Sequence, residues 1–167
     1  MSLLSVSASP RSLALLLFAG MGATVGAALL FEHVGGFIPC ALCLKQRTPY
    51  YLGLPVAAIA FASAMFGGPR WLTRAAFTIA AGLMLWGGGL GVYHSGVEWG
   101  WWQGPADCAA TAGGVTRNAG DLLADLNAKR PPSCTDAAGR FLGLSFAGWN
   151  VIASALWLAV AVRGARG

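Results

Sequence analysis

The stretch LALLLFAGMGATVGAALLF, residues 13–31, decides the fold of this chain. It runs for 19 residues without a charged side chain. An α-helix rises about 1.5 Å per residue and the hydrocarbon core of a bilayer is about 30 Å thick, so about 20 apolar residues cross it. Lipid offers the backbone no hydrogen-bond partner, and such a stretch must therefore be helical. Residues 13–31 predict a transmembrane helix.

Three further uncharged stretches of similar length follow, at residues 49–66, 75–93 and 144–162. We therefore expect an all-α membrane protein: a bundle of four transmembrane helices forming one membrane domain over residues 1–167. Its two longer loops are residues 32–48 and 94–143. The composition agrees, because only 10% of the residues are charged, against about 25% in soluble domains.

The distribution of charge predicts the orientation in the lipid bilayer. Residues 1–12, 67–74 and 163–167 carry five arginines and no acid, whereas the two longer loops hold all six acids. Basic residues near helix ends favour the cytosol, so both termini are expected there and the longer loops outside. A cleaved signal peptide is the alternative for residues 13–31, but signal cores are shorter, about 7–15 residues. The basic residues form no run, which argues against binding to nucleic acid.

All four cysteines fall in the two outward loops, at Cys40, Cys43, Cys108 and Cys134. Disulfides persist outside the cytosol, which agrees with that placement. A disulfide between residues three apart restrains the unfolded chain little, so a redox role for Cys40 and Cys43 is favoured over a structural one. A helix start and nearby cations would stabilise a thiolate there. Metal ligation and a structural disulfide remain alternatives.

The other two cysteines, Cys108 and Cys134, favour a structural disulfide when they are considered alone. No second Cys-x-x-Cys motif is present, so the signal for zinc is weak and no metal is expected. If the two pairs exchange electrons, an acceptor is required. The chain has no glycine-rich nucleotide-binding motif, and a membrane-soluble quinone is the acceptor at hand.

Two residues are candidates for the quinone site. Arg47 lies four residues after Cys43 and is expected to serve the thiolate or the quinone, with lipid phosphate as the alternative. His94 lies at the end of the third stretch. It is expected either to hydrogen-bond a quinone carbonyl or pass a proton, or simply to mark the water interface. By contrast, Glu32 and His33 are expected to be a solvated loop pair. Asn150 is expected to bond between helices.

The segments PCALCLKQR (residues 39–47), GVYHSGVE (91–98) and GPADC (104–108) resemble the bacterial disulfide bond formation protein B (DsbB) family. The resemblance covers essentially the whole chain, from the four hydrophobic stretches to all four cysteines. One departure is Gln46, at a position where some members carry an acid. The charge around the quinone is therefore left open at this point.

The resemblance implies a role for each cysteine. Cys108 would be attacked by the reduced thiol of a periplasmic DsbA-like partner with a thioredoxin fold. Cys134 would then be released and pass electrons to Cys40. Cys43 would lie against ubiquinone, or menaquinone, with Arg47 and His94 at the quinone.

The resulting expectation is a thiol:quinone oxidoreductase of the bacterial inner membrane. Two alternatives stay open at this point: a thiol–quinone enzyme of the vitamin K epoxide reductase type, and a non-enzymatic membrane protein with two structural disulfides. Residues 121–129 also suggest a short amphipathic helix, either on the membrane surface or covering the mouth of the bundle.

Overall fold

The computed structural model describes residues 9–105 and 134–167, and in them the chain is a bundle of four long helices. The helices are α1 (Pro10–His33), α2 (Ala41–Met65), α3 (Arg70–Glu98) and α4 (Phe146–Arg166). A two-residue antiparallel hairpin of β1 (Arg140–Phe141) and β2 (Leu144–Ser145) precedes α4. All four helices are long and apolar enough to cross a membrane. The predicted all-α membrane bundle is confirmed.

Local capping chemistry explains where three of the helices begin. Ser9 caps α1, with Pro10 in the first turn. Ser145 caps α4 by accepting from the backbone N–H of Gly148. At α2 the cap is Cys40, whose sulfur accepts from the backbone N–H of Cys43. Each side chain satisfies a backbone donor that the first helical turn leaves without a partner.

Three differences between the helix ends and the uncharged stretches affect the site or its surroundings. Helix α2 begins at Ala41 rather than near Pro49, which lies inside it, because the Cys40 cap starts the helix a full two turns earlier. Helix α3 continues to Glu98, so that His94 is helical. Helix α4 begins at Phe146, because the two residues before it pair with β1. Helices α2 and α3 therefore continue into charged sequence beyond their uncharged cores.

Close packing of α3 against α4 forms one side of the bundle. A Cβ added at Gly91 would lie 2.8 Å from a side-chain carbon of Val151. One turn earlier, the carbonyl of Gly87 accepts a hydrogen bond from the Asn150 side chain at 3.1 Å. Gly87 and Gly91 are four residues apart on α3, and small residues at this spacing allow the backbones of two helices to approach closely. The expected interhelical bond of Asn150 is confirmed, whereas Gly26 on α1 has open space beside it.

The interior of the bundle is apolar and its outer face is hydrophobic. Leu17, Met21, Phe77 and Met84 are fully buried between the helices. Large side chains such as Leu85 and Ile152 are exposed on the outside, as expected of a surface that contacts lipid. Cys108 and the proposed amphipathic helix at 121–129 lie outside the described residues.

The Gly91 contact gives a test of this packing. We expect Gly91→Ala to destabilise the protein, because overpacking costs about 1–3 kcal/mol while the gain in helix propensity is at most about 1 kcal/mol. Gly89→Ala is the matched control, since Gly89 has no atom nearby and should leave stability unchanged or slightly raised. Thermal unfolding in detergent measures both. Equal melting temperatures for the two variants would contradict the packing described here.

Candidate functional site: a buried dithiol beside an apolar cavity

Two free thiols lie at the start of α2. Cys40 and Cys43 are both unbonded cysteines, and their sulfur atoms are 2.9 Å apart. The capping geometry explains this proximity, because Cys40 turns its sulfur back over the first helical turn to reach the backbone N–H of Cys43 at 3.3 Å. Cys40 is almost completely buried. The pair is therefore placed to form and break a disulfide with little movement.

His94 reaches this dithiol from α3. Its Nε2 lies 3.6 Å from the sulfur of Cys40, and its Nδ1 is bonded to the side-chain amide of Gln46. The amide nitrogen of Gln46 can only donate, so Nδ1 accepts and Nε2 carries the ring proton. That N–H faces the sulfur of Cys40. His94 is itself buried, with 2% of its surface exposed.

These contacts favour the thiolate form of Cys40. The hydrogen bond with Cys43 is the largest cause that lowers the pKa of Cys40, burial opposes it, and the bond with His94 lowers it further, to about 4. A thiolate is the form that attacks disulfides. The surroundings of Cys40 therefore favour its reactive, thiolate form, although the residue is buried.

A third cysteine meets the same cluster. Ligand-type atoms of Cys40, His94 and Cys134 lie within 4.8 Å of one another. Cys134 is disulfide-bonded and 1% exposed. Metal binding requires a thiolate, which a disulfide sulfur is not. The arrangement suits thiol–disulfide exchange, because the sulfur of Cys40 lies near a disulfide sulfur in apolar surroundings that include Leu42 and Val97.

On the other side of the dithiol, Cys43 lines a cavity of about 300 Å³. The walls come from α1, α2, α4 and the segments before α2 and α4, and most of them are apolar, including Phe31 and Phe146. Polar groups are few. Arg47 and Asn150 are among them. A small number of polar groups in a largely apolar cavity is typical of a site for an apolar ligand with polar ends.

The two residues expected at the quinone are placed differently. Arg47 lines the cavity together with Cys43. His94 contacts Cys40 and Gln46 instead and is not among the cavity-lining residues of the described ranges. The dithiol thus lies between the guanidinium and the imidazole.

The interpretation of Glu32 as part of a solvated loop pair is wrong. Glu32 lies within α1 and forms an ion pair with the Arg47 guanidinium. Its side chain is 24% exposed, and that of Arg47 13%. Helix α1 runs on past residue 31, which brings the carboxylate to the cavity. The pair leaves Arg47 less positive toward the cavity than an unpaired arginine would be.

Two functional contacts of α3 and α2 were missed by the sequence reasoning. Gln46 orients His94, although the sequence singles it out only as a departure from the family. Glu98 is buried beside His94, with its Oε1 3.8 Å from Nε2. The available signal was the spacing of four residues between His94 and Glu98, which puts both on one face once α3 extends that far.

The family described as disulfide bond formation protein DsbB matches residues 10–163. The chain belongs to the DsbB family. It is therefore a multi-pass membrane oxidoreductase of disulfide bond formation, and the redox interpretation of the cysteine motif agrees with that class.

Individual members of the DsbB family align over most of the chain. Disulfide bond formation protein B of Saccharophagus degradans is 30% identical over 161 residues, 92% of each chain. The protein of the same name from Aromatoleum aromaticum is 30% identical over 89% of this chain and 87% of its own. The one from Acidovorax sp. is 28% identical over 97% and 93%. No solved structure matches the chain.

The hydrogen bond between Cys40 and Cys43 predicts how the reactivity of Cys40 depends on pH in this DsbB-family protein. Cys43→Ala removes the largest cause of the lowered pKa of Cys40, and each unit of increase lowers the thiolate fraction about tenfold in acid. We expect alkylation of reduced Cys40 by iodoacetamide, counted by mass spectrometry, to persist into mildly acidic solution in the parent and to stop at higher pH in the variant. Leu44→Ala, at an exposed neighbour, is the control. Superimposable pH profiles for Cys43→Ala and the parent would contradict this assignment.

Proposed function

We propose that this protein is a quinone-dependent protein disulfide oxidase. It reoxidises a periplasmic DsbA-like thiol oxidase and passes the electrons to ubiquinone, or to menaquinone where that is the membrane's quinone. Residues 1–167 act as one membrane domain of the bacterial inner membrane. Both termini are cytoplasmic and the four cysteines are periplasmic, as the arginine distribution favours.

The observation that carries this proposal is the position of Cys43. Its side chain lines the apolar cavity beside Arg47, while Cys40, 2.9 Å away, faces disulfide-bonded Cys134. A dithiol with one sulfur toward a disulfide and the other toward an apolar cavity can take electrons from one side and deliver them to the other. A non-enzymatic role for the cysteines does not require the cavity.

The residues of the cavity fit a quinone. Its apolar walls suit the ring and the start of an isoprenoid tail, and Arg47 and Asn150 offer N–H donors for carbonyl oxygens. When bound, the quinone supplies the capacity to accept two electrons and two protons. Arg47 places positive charge near the Cys43 sulfur, and the apolar walls exclude water from the reaction.

The cysteines carry the electrons in pairs. Two thiols of the partner reduce the disulfide between Cys108 and Cys134, which the family resemblance assigns to each other. The Cys134 thiolate then attacks Cys40 of the oxidised Cys40–Cys43 pair and releases Cys43 beside the cavity. Cys108 in turn attacks Cys134, which restores the Cys108–Cys134 disulfide, releases Cys40 and leaves Cys40 and Cys43 reduced. Each attack forms one S–S bond and breaks one, so the number of disulfide bonds stays the same while a pair of electrons moves on. The separation of at most 4.8 Å between the atoms of Cys134 and Cys40 supports this route.

Quinone absorbance tests the proposal directly. Purified protein, a reduced DsbA-like partner and ubiquinone should give catalytic loss of quinone absorbance. We expect Cys43→Ala and Cys108→Ala each to abolish turnover, because each removes one obligatory exchange. Retained turnover in Cys108→Ala would favour the vitamin K epoxide reductase type, and an inactive parent with any dithiol would favour structural disulfides.

Arg47 provides a second test. Arg47→Gln removes the charge beside Cys43 but retains a donor, so we expect a higher KM for quinone and a lower kcat, with kcat/KM reduced on the order of tenfold for a lost charge-assisted bond. Arg74→Gln is the matched control, because Arg74 is bonded to the terminal Gly167 carbonyl, away from the cavity. Loss of activity in the control to the same extent would show that the effect is general destabilisation.

A further inference from the structure

Glu98, the last residue of α3, is a buried carboxylate that the electron route does not use. Only 4% of its side chain is exposed. Its Oε1 lies 3.8 Å from Nε2 of His94, and its Oε2 has no hydrogen-bond partner among the described residues. An ionised carboxylate without compensation is costly at such a site.

The single N–H at Nε2 of His94 has two acidic neighbours. It lies 3.6 Å from the sulfur of Cys40 and 3.8 Å from Oε1 of Glu98. If Cys40 and Glu98 were both ionised, two negative charges would share one N–H in a buried cluster. Like charges that face the same N–H in a buried cluster oppose simultaneous ionisation. Ionisation of Cys40 therefore opposes ionisation of Glu98.

No other charged group in the described ranges settles this balance. Cys43 is the hydrogen-bond partner of Cys40, and Cys134 is in a disulfide and does not titrate. Gln46, which holds His94, is neutral. Arg47 is paired with Glu32 on the cavity side, and Lys45 is exposed. Among the described residues, the negative charge of this cluster is therefore carried by either Cys40 or Glu98.

We propose that Glu98 stores the proton of Cys40. It is protonated while Cys40 is a thiolate and is ionised once Cys40 and Cys43 have joined in a disulfide. His94 gives its N–H to whichever of the two is negative. Glu98 acts on Cys40 through His94, and it couples a proton to the redox state of the dithiol.

This inference rests on the proposed quinone reduction, for which it completes the balance. One Cys40 thiolate, one Cys43 thiol, one protonated Glu98 and one quinone give one disulfide, one Glu98 carboxylate and one hydroquinone. The S–S bond forms as the S–H and O–H bonds break, and two electrons and two protons reach the quinone. The charge of the cluster is the same before and after, which a buried site requires.

Equilibration with dithiothreitol tests the proposal without quinone or partner. The full-length protein is equilibrated with reduced and oxidised dithiothreitol across the neutral pH range, quenched with acid, and the Cys40–Cys43 pair is quantified by mass spectrometry. In the parent, reduction takes up two protons, as many as dithiothreitol gives up, so the exchange constant should not depend on pH. In Glu98→Gln, reduction of the pair takes up one proton while dithiothreitol gives up two. The equilibrium constant for reduction of the Cys40–Cys43 disulfide by dithiothreitol should then rise about tenfold per pH unit.

Asp136→Asn is the matched control, since it also removes one carboxylate from the outward segments but at an exposed position. It should behave as the parent does. A tenfold change of the exchange constant per pH unit in the parent would overturn the proposal, because Glu98 would then keep one protonation state throughout. Independence of pH in Glu98→Gln would also overturn it, because Cys40 would then be a thiol. Neither outcome bears on quinone reduction, which the absorbance assay decides separately.

Infrared difference spectroscopy provides a readout on the parent alone, should the variant fail to fold. Chemical oxidation of the reduced protein should remove the carbonyl band of one protonated carboxyl group, and that band should shift when glutamate is labelled with ¹³C. Glu98→Gln should lack the change, and Asp136→Asn should keep it. If the parent shows no loss of such a band, Glu98 does not store the proton.

Discussion

The side chain of Cys40 is the point on which the site depends. As the cap of α2 it satisfies a backbone N–H of the first turn, and the same contact brings its sulfur to the sulfur of Cys43. The helix start and the reactive pair are thus one structural feature. Because the cap sits at the end of a transmembrane helix, it also fixes the depth of the dithiol relative to His94 on α3 and to the cavity.

The dithiol separates two carboxylates with different surroundings. Glu32 faces the cavity and is ion-paired with Arg47, so its charge is compensated in place. Glu98 faces the cysteine cluster, where Nε2 of His94 lies 3.8 Å from its Oε1. Glu32 holds the Arg47 guanidinium in place. Glu98 has no such cation beside it in the described ranges and is free to take the proton-storing role proposed for it. The family's chemistry of disulfide formation thus has an electrostatic arrangement on each side of the sulfur pair.

Gln46 connects these observations to what sets this chain apart. At a position where some members carry an acid, this chain has an amide that bonds to His94. The amide cannot hold a proton, but it fixes the tautomer of the histidine so that the ring N–H points to the other side. There it meets both Cys40 and Glu98. The acid of this cluster is therefore on α3 and not on α2.

The amino-acid sequence was sufficient to predict the membrane bundle and to single out the Cys40–Cys43 pair. Uncharged stretches of helical spanning length leave the backbone no other structure in lipid, and a Cys-x-x-Cys motif is local enough to read directly. Three features appear only in the folded structure: the start of α2 and the end of α3, the ion pair of Glu32 with Arg47, and the position of Glu98 against His94. These features depend on side chains from different helices meeting in a buried site, and no local pattern of residues encodes such a meeting.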